Sequence, residues 1–136
     1  MGAKEMKYIL LMTGTRAGVD GYRAWSKNDV NAHFAFLNRF NKELSESGEF
    51  VANEGLAAPE QARIVKAGKD GVPVTDGVFP EAKEFLLGYW IVDVESPGRA
   101  YEIAGRLSAG PGPGGVPTCM PIEVRQIMSG RTDELT

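Results

Sequence analysis

Asp76, Lys83 and Glu84 stand close together in TDGVFPEAKEFLLGYW, residues 75–90, among Phe79, Phe85, Tyr89 and Trp90. A carboxylate partly buried at a strand end can be tuned to act as general acid or base. A lysine beside it can neutralise that carboxylate or hold an anionic group. Each residue also has an ordinary alternative. Asp-Gly is a common turn pair, because Asp bonds its own backbone and Gly accepts positive φ. Glu81, Lys83 and Glu84 equally suit a solvated connector. If residues 80–87 form a helical turn, Glu81 and Glu84 share a face. If they are extended, Glu81 and Lys83 share one and Glu84 lies opposite. The sequence leaves both open.

His33 is the single histidine, and histidine is the side chain that exchanges protons near neutral pH. It precedes Phe36 and Leu37 by three and four positions, so it borders an apolar stripe. A core-edge histidine bonded to backbone is the plainer reading. In the catalytic reading Asp76 is the acid/base, Lys83 stabilises an oxyanion, and Glu84 or His33 orients. Glu54 and Arg125 are candidates to point into a cleft and touch substrate, with Phe79 and Trp90 as apolar contacts. Glu54 and Arg125 would serve equally as edge-strand charges that discourage aggregation. Trp25, Tyr89 and Trp90 also fit core or subunit contacts.

Two other features carry less. GPGPGG, residues 110–115, has the glycine content of a phosphate loop without a following Lys-Ser/Thr or a strand-to-helix setting, so it reads as a connector over the cleft. Cys119 is the only cysteine; it has no motif around it, and it excludes an internal disulfide and a cysteine-based zinc cluster. With one histidine, a metal site would depend on carboxylates, and no metal is expected. Nothing signals a nucleotide, flavin or haem site, so no cofactor is expected. The 15 Lys and Arg are scattered and the net charge is −3, which disfavours nucleic acid. The apolar run near Tyr8–Met12 is far short of the roughly 20 residues that span a bilayer. It also lacks the form of a secretion signal. The expectation is a cytoplasmic protein with no membrane contact.

The elements that must position these groups follow from the pattern. Lys7–Thr13 is a short apolar run that reads as a buried strand. TGTRAGVDGYRAW has glycine-containing turns and reads as a loop. Ser26 or Asn28 caps a helix with Val30, Phe34, Leu37, Phe40 and Leu44 on one side, ending at Gly48. Glu49–Ala57 is a strand. QARIVKAG and VPVT flank Lys69-Asp70-Gly71 as a hairpin, with Pro73 placing the second arm at an edge. Gly88–Ser96 alternates through Trp90, Val92 and Val94 as the strongest strand. Ser96-Pro97 opens a helix with Ala100, Ile103, Ala104 and Leu107 on one side. Ile122–Met128 is the last strand and residues 129–136 a polar tail.

Apart from the hairpin, the order is strand, helix, strand, strand, helix, strand. This predicts an α+β fold of the ferredoxin-like, split βαβ kind, spanning residues 6–128 after a short extension over 1–5. Both helices can cover one sheet face, and the other needs a partner. The expectation is a homodimer closing into a dimeric α+β barrel.

Gly55-Leu56 with Pro59, then TDGVFPEAKEFLLGYWIVDVES and IEVR, resemble the YCII-related family. More narrowly they resemble its branch with a DGPF motif, here Asp76-Gly77-Val78-Phe79 with Val where the branch has Pro. The resemblance covers roughly residues 6–128. It implies a ferredoxin-like subunit, usually dimeric, with a cleft between sheet and partner. Some relatives are proposed to use a His–Asp pair, whose histidine has no matching motif around His33. Others accompany sigma factors. The functional expectation is a small-molecule binder with acid–base activity of a cofactor-independent lyase, isomerase or hydrolase type. The competing expectation is a non-catalytic regulatory or interaction module linked to sigma-factor signalling.

Overall fold

A computed structural model describes residues 6–77 and 84–128, with Asp76 and Gly77 described by their backbone. Among the described residues six strands and three α-helices follow one another: β1 (Met6–Thr15), α1 (Arg16–Arg23), α2 (Lys27–Glu46), β2 (Phe50–Gly55), β3 (Arg63–Ala67), β4 (Pro73–Gly77), β5 (Glu84–Val94), α3 (Pro97–Ser108) and β6 (Ile122–Gln126). Four strands form one antiparallel sheet in the order β2-β5-β1-β6. With α2 crossing from β1 to β2 and α3 from β5 to β6, this is the α+β, ferredoxin-like arrangement expected from the pattern. Among the described residues β3 and β4 pair only with each other, as the hairpin around Lys69-Asp70-Gly71. Gly71 takes φ +82° there, and the Asp70 carboxylate accepts from Val72 N–H, which is why the turn needs these residue types.

The core lies between one sheet face and helices α2 and α3. Tyr8 and Leu10 of β1, with Trp90, Val92 and Val94 of β5, alternate inward as period-2 strands require. Ala100, Ile103, Ala104 and Leu107 of α3 are all buried against them. Ser96 caps α3 by accepting from Arg99 N–H, and Pro97 sits in the first turn. Ser26 caps α2 in the same way through Asp29 N–H. Arg99 grips the buried Glu49 with two hydrogen bonds, Nε to Oε2 at 2.8 Å and Nη2 to Oε1 at 2.9 Å. This fork ties α3 to the start of β2, and Glu49 holds the Arg99 guanidinium well above its ordinary pKa.

Two expectations change. The stretch read as a loop contains α1: Thr15 caps it by accepting from Gly18 N–H. Arg16 and Arg23, one at each end, both pair with Glu60, at 3.2 and 2.6 Å. Those long-range pairs fix a glycine-bearing helix that local propensity disfavours. The apolar stripe of α2 also divides. Phe40 and Leu44 are buried and Leu37 is packed partly buried against the core, whereas Phe34 is 51% exposed.

The remaining sheet face carries Ile9 and Leu11 of β1 beside Ile91 and Tyr89 of β5, their register partners. No helix covers it. Among the described residues, no helix is long and apolar enough to cross a membrane.

Candidate functional site

A recess of about 1180 Å3 opens on the helix-covered side of the sheet. Its floor is the end of the sheet where β1, β2 and β5 meet, at Met12, Asn53 and Trp90. Tyr22 of α1 and Trp25 form one wall; His33, Asn38 and Asn41 of α2 form another.

Gly112, Val116 and Cys119 close the recess above. Residues 109–121 are folded more firmly than a glycine-rich connector would suggest. Gly112 N–H donates to Val116 O at 2.7 Å, and Thr118 N–H donates to Gly110 O. Ser108 ties the return leg down: its carbonyl accepts from Cys119 N–H, and its hydroxyl donates to Met120 O. Cys119 sits at φ +53°, a left-handed conformation uncommon outside glycine. Gly114 N–H reaches Asp29 on α2, so the segment is anchored as a roof.

A backbone irregularity shapes the floor. Met12 pairs with Gly88 and Thr13 with Leu86, leaving Leu87 as a bulge. Gly88 is required at this point: a Cβ there would come within 2.9 Å of Glu54 O. The close approach brings β2 and β5 together at this end of the sheet; Asn53 faces α2, so Glu54, paired with Tyr89, turns its side chain to the other face.

A hydrogen-bonded chain runs across the floor. Trp90 Nε1–H donates to Asn41 Oδ1 at 2.7 Å, Asn41 Nδ2 donates to Asn53 Oδ1 at 3.1 Å, and Asn53 Nδ2 donates to Tyr89 O at 3.1 Å. It satisfies the indole N–H of Trp90, which is only 3% exposed. His33 Nδ1 lies 3.0 Å from Pro111 O. A carbonyl only accepts, so Nδ1 carries the hydrogen, and in the neutral ring Nε2 is the proton acceptor. Trp25 meets the His33 ring edge-on at 5.7 Å and Tyr22 at 4.9 Å.

Of the residues singled out from sequence, His33, Glu54, Glu84 and Trp90 all line this recess. Glu84 begins β5 and is extended. Arg125 stands elsewhere: Val124 packs on the core, so Arg125 projects to the opposite face of β6, 3.7 Å from Glu123. Asp76 pairs through its backbone with Ile64 in the β3–β4 hairpin. Phe79 and Lys83 lie outside the described residues. Sequence reading missed Asn41, Asn53 and Tyr22. A faint signal existed for Asn41: a polar residue next to Phe40, on a helix face that otherwise reads as core. Among the described residues, no three His, Cys, Asp or Glu side chains gather as a metal site.

Comparison with known proteins agrees with this architecture. Residues 6–114 match the YCII-related domain. An uncharacterised protein of Rhizobium meliloti (strain 1021) is 30% identical over 85 residues, which is 62% of this chain and 68% of that relative. The chain belongs to the YCII-related family.

Proposed function

We propose that this YCII-related protein binds a small organic molecule in the recess between α1, α2 and the 109–121 roof. One observation carries the reading: about 1180 Å3 of space lined by aromatic rings and a few fixed polar groups. Ligand sites are mostly concavities of about 300–1,000 Å3 with that balance of apolar wall and placed polar groups. This space is large enough for a metabolite and its waters.

The catalytic form of the reading adds proton transfer within a cofactor-independent lyase, isomerase or hydrolase step. Asp76 is its acid/base, Lys83 its oxyanion stabiliser, and His33 or Glu84 the orienting partner. What supports the last assignment is that His33 and Glu84 line the recess, with His33 Nε2 left as acceptor by the Pro111 contact. Asp76→Asn with undiminished turnover of the identified ligand would exclude this form and leave binding alone.

The test is native mass spectrometry of the protein as purified, followed by a metabolite screen read by Cys119 alkylation. Cys119 is the only cysteine and lines the recess, so a bound compound slows its labelling. A co-purified compound that slows labelling supports the reading. If no compound that binds changes the rate, the recess is not the binding place.

A second feature favours an accompanying assembly. The uncovered face bears Ile9, Leu11, Tyr89 and Ile91, and the Oδ1 of Asp93 on that face is buried without a hydrogen-bond partner among the described residues. A second copy laid sheet to sheet would cover the apolar row and bring donors to Asp93, closing the homodimeric barrel. Sedimentation equilibrium giving a monomer at all accessible concentrations would exclude it.

A further inference from the structure

We infer that α1 is a gate on the recess and that the Glu60 carboxylate is its latch. The inference rests on the binding reading above and concerns how that site opens and closes. α1 supplies one wall through Gly18, Val19 and Tyr22, yet none of its residues is buried. It is eight residues long, two of them glycine, and isolated helices below about 12 residues are marginal in water. Arg16 places a positive charge in its first turn, which works against the helix dipole at that end. Neither a buried face nor its own turns therefore holds α1 in place.

What holds it is Glu60, on the turn after β2. Its Oε1 accepts from Arg16 Nη1 at 3.2 Å and its Oε2 from Arg23 Nη2 at 2.6 Å, so one carboxylate clasps both ends of the helix. Arg16 also lies over the Phe85 ring, 5.0 Å from its centre. Pro59, just before Glu60, is buried and lines the same recess, so the clasp ties two of its walls together. All three charged side chains are about half exposed. Such pairs are individually weak and screened by salt. A segment without a buried face, held by exposed ion pairs, opens at far less cost than the whole fold. Beyond α1 the chain is anchored again, because Trp25 meets His33 of α2 edge-on at 5.7 Å. The opening is thus confined to the helix itself.

The gate is tested without a ligand, by a thiol placed on the recess floor. Met12 lines that floor and is partly buried. Met12→Cys in a Cys119→Ser background leaves one thiol, which is alkylated with a fluorescein maleimide. Cys119 of the native background is exposed and serves as the ungated control. Glu60→Gln should speed labelling of the introduced thiol about threefold to tenfold at low salt. Salt at about 0.5 M should speed it by a similar factor where Glu60 is present and add little in the Glu60→Gln variant. About 1 M urea should barely change the rate, since opening α1 exposes little surface. Labelling of Cys119 should ignore Glu60→Gln.

A rate for the introduced thiol that is the same with and without Glu60, or that ignores salt, overturns the gate. So does a rate that climbs steeply with urea, which marks access through global unfolding. If circular dichroism shows that Met12→Cys does not fold, amide hydrogen exchange of the unmutated protein decides. Amides of α1 should exchange at least about a hundredfold faster than those of α3, and equal protection of the two helices overturns the inference. Failure of the binding reading shows itself separately, as Cys119 labelling that no bound compound alters.

Discussion

Replacing Asn41 with leucine should strand the Trp90 indole N–H, and the structure sets the size of the effect. The N–H donates to Asn41 Oδ1 at 2.7 Å from a ring that is 3% exposed, so no water reaches it readily once the acceptor is gone. An unmade buried hydrogen bond costs about 1–3 kcal/mol. Leucine returns about 0.5 kcal/mol through better helix propensity in α2. The net loss should be about 1–2 kcal/mol, or a fall in Tm of about 3–8 °C for a chain of this size. Trp90→Phe removes the donor and part of the ring, at about 1–3 kcal/mol. In that background Asn41→Leu strands no indole N–H and removes only the donor to the half-buried Asn53 Oδ1, so it should cost less than in the parent. Urea unfolding followed by far-UV circular dichroism closes the cycle, since fluorescence would change with the tryptophan itself. A coupling energy of about 1–2 kcal/mol is expected. A coupling below about 0.3 kcal/mol would refute the claim that the floor chain holds Trp90 in place.

Gly88→Ala should lower stability by about 1–3 kcal/mol, because the new Cβ meets the Glu54 carbonyl at 2.9 Å and backbone must move; Gly55→Ala, with nothing within 4 Å, should stay within about 0.5 kcal/mol. Arg99→Ala leaves Glu49 buried at 4% exposure and should cost about 2–3 kcal/mol in urea unfolding, reduced from a fully buried pair because the Arg99 side chain is 34% exposed. Since Glu49 raises the pKa of Arg99, the stabilisation is fully present below the guanidinium's unfolded value and is lost only in strong alkali. The difference between Arg99→Ala and the parent should thus be flat from about pH 6 to 9. Ellman titration of the folded protein should find Cys119 reactive, as its exposure requires, and a slow thiol would contradict its place in the roof.

The order of strands and helices along the chain was legible because period-2 alternation in Trp90, Val92 and Val94 and the 3.6-period face of α3 are local signals. The helix α1 was not, because what holds it is Glu60, which is 44 positions from Arg16 and 37 from Arg23. The recess was half legible. His33, Glu54, Glu84 and Trp90 could be singled out by residue type, yet their gathering along one recess depends on the Leu87 bulge and on pairing between distant segments. Neither leaves a local mark. Asn41 and Asn53 look like surface amides in sequence, and only pairing across α2 and β2 reveals their use.

The roof over residues 109–121 is held by its own hydrogen bonds, by Ser108 at the end of α3, and by contacts to α2 at Asp29 and His33. None of its residues belongs to the aliphatic core cluster beneath α3. An insertion or deletion between Gly112 and Val116 would change the height of the chamber without repacking Phe40, Ile103 or Leu107. Related chains could thus share one scaffold and differ in the size of guest they admit, the variation being confined to a single short arch.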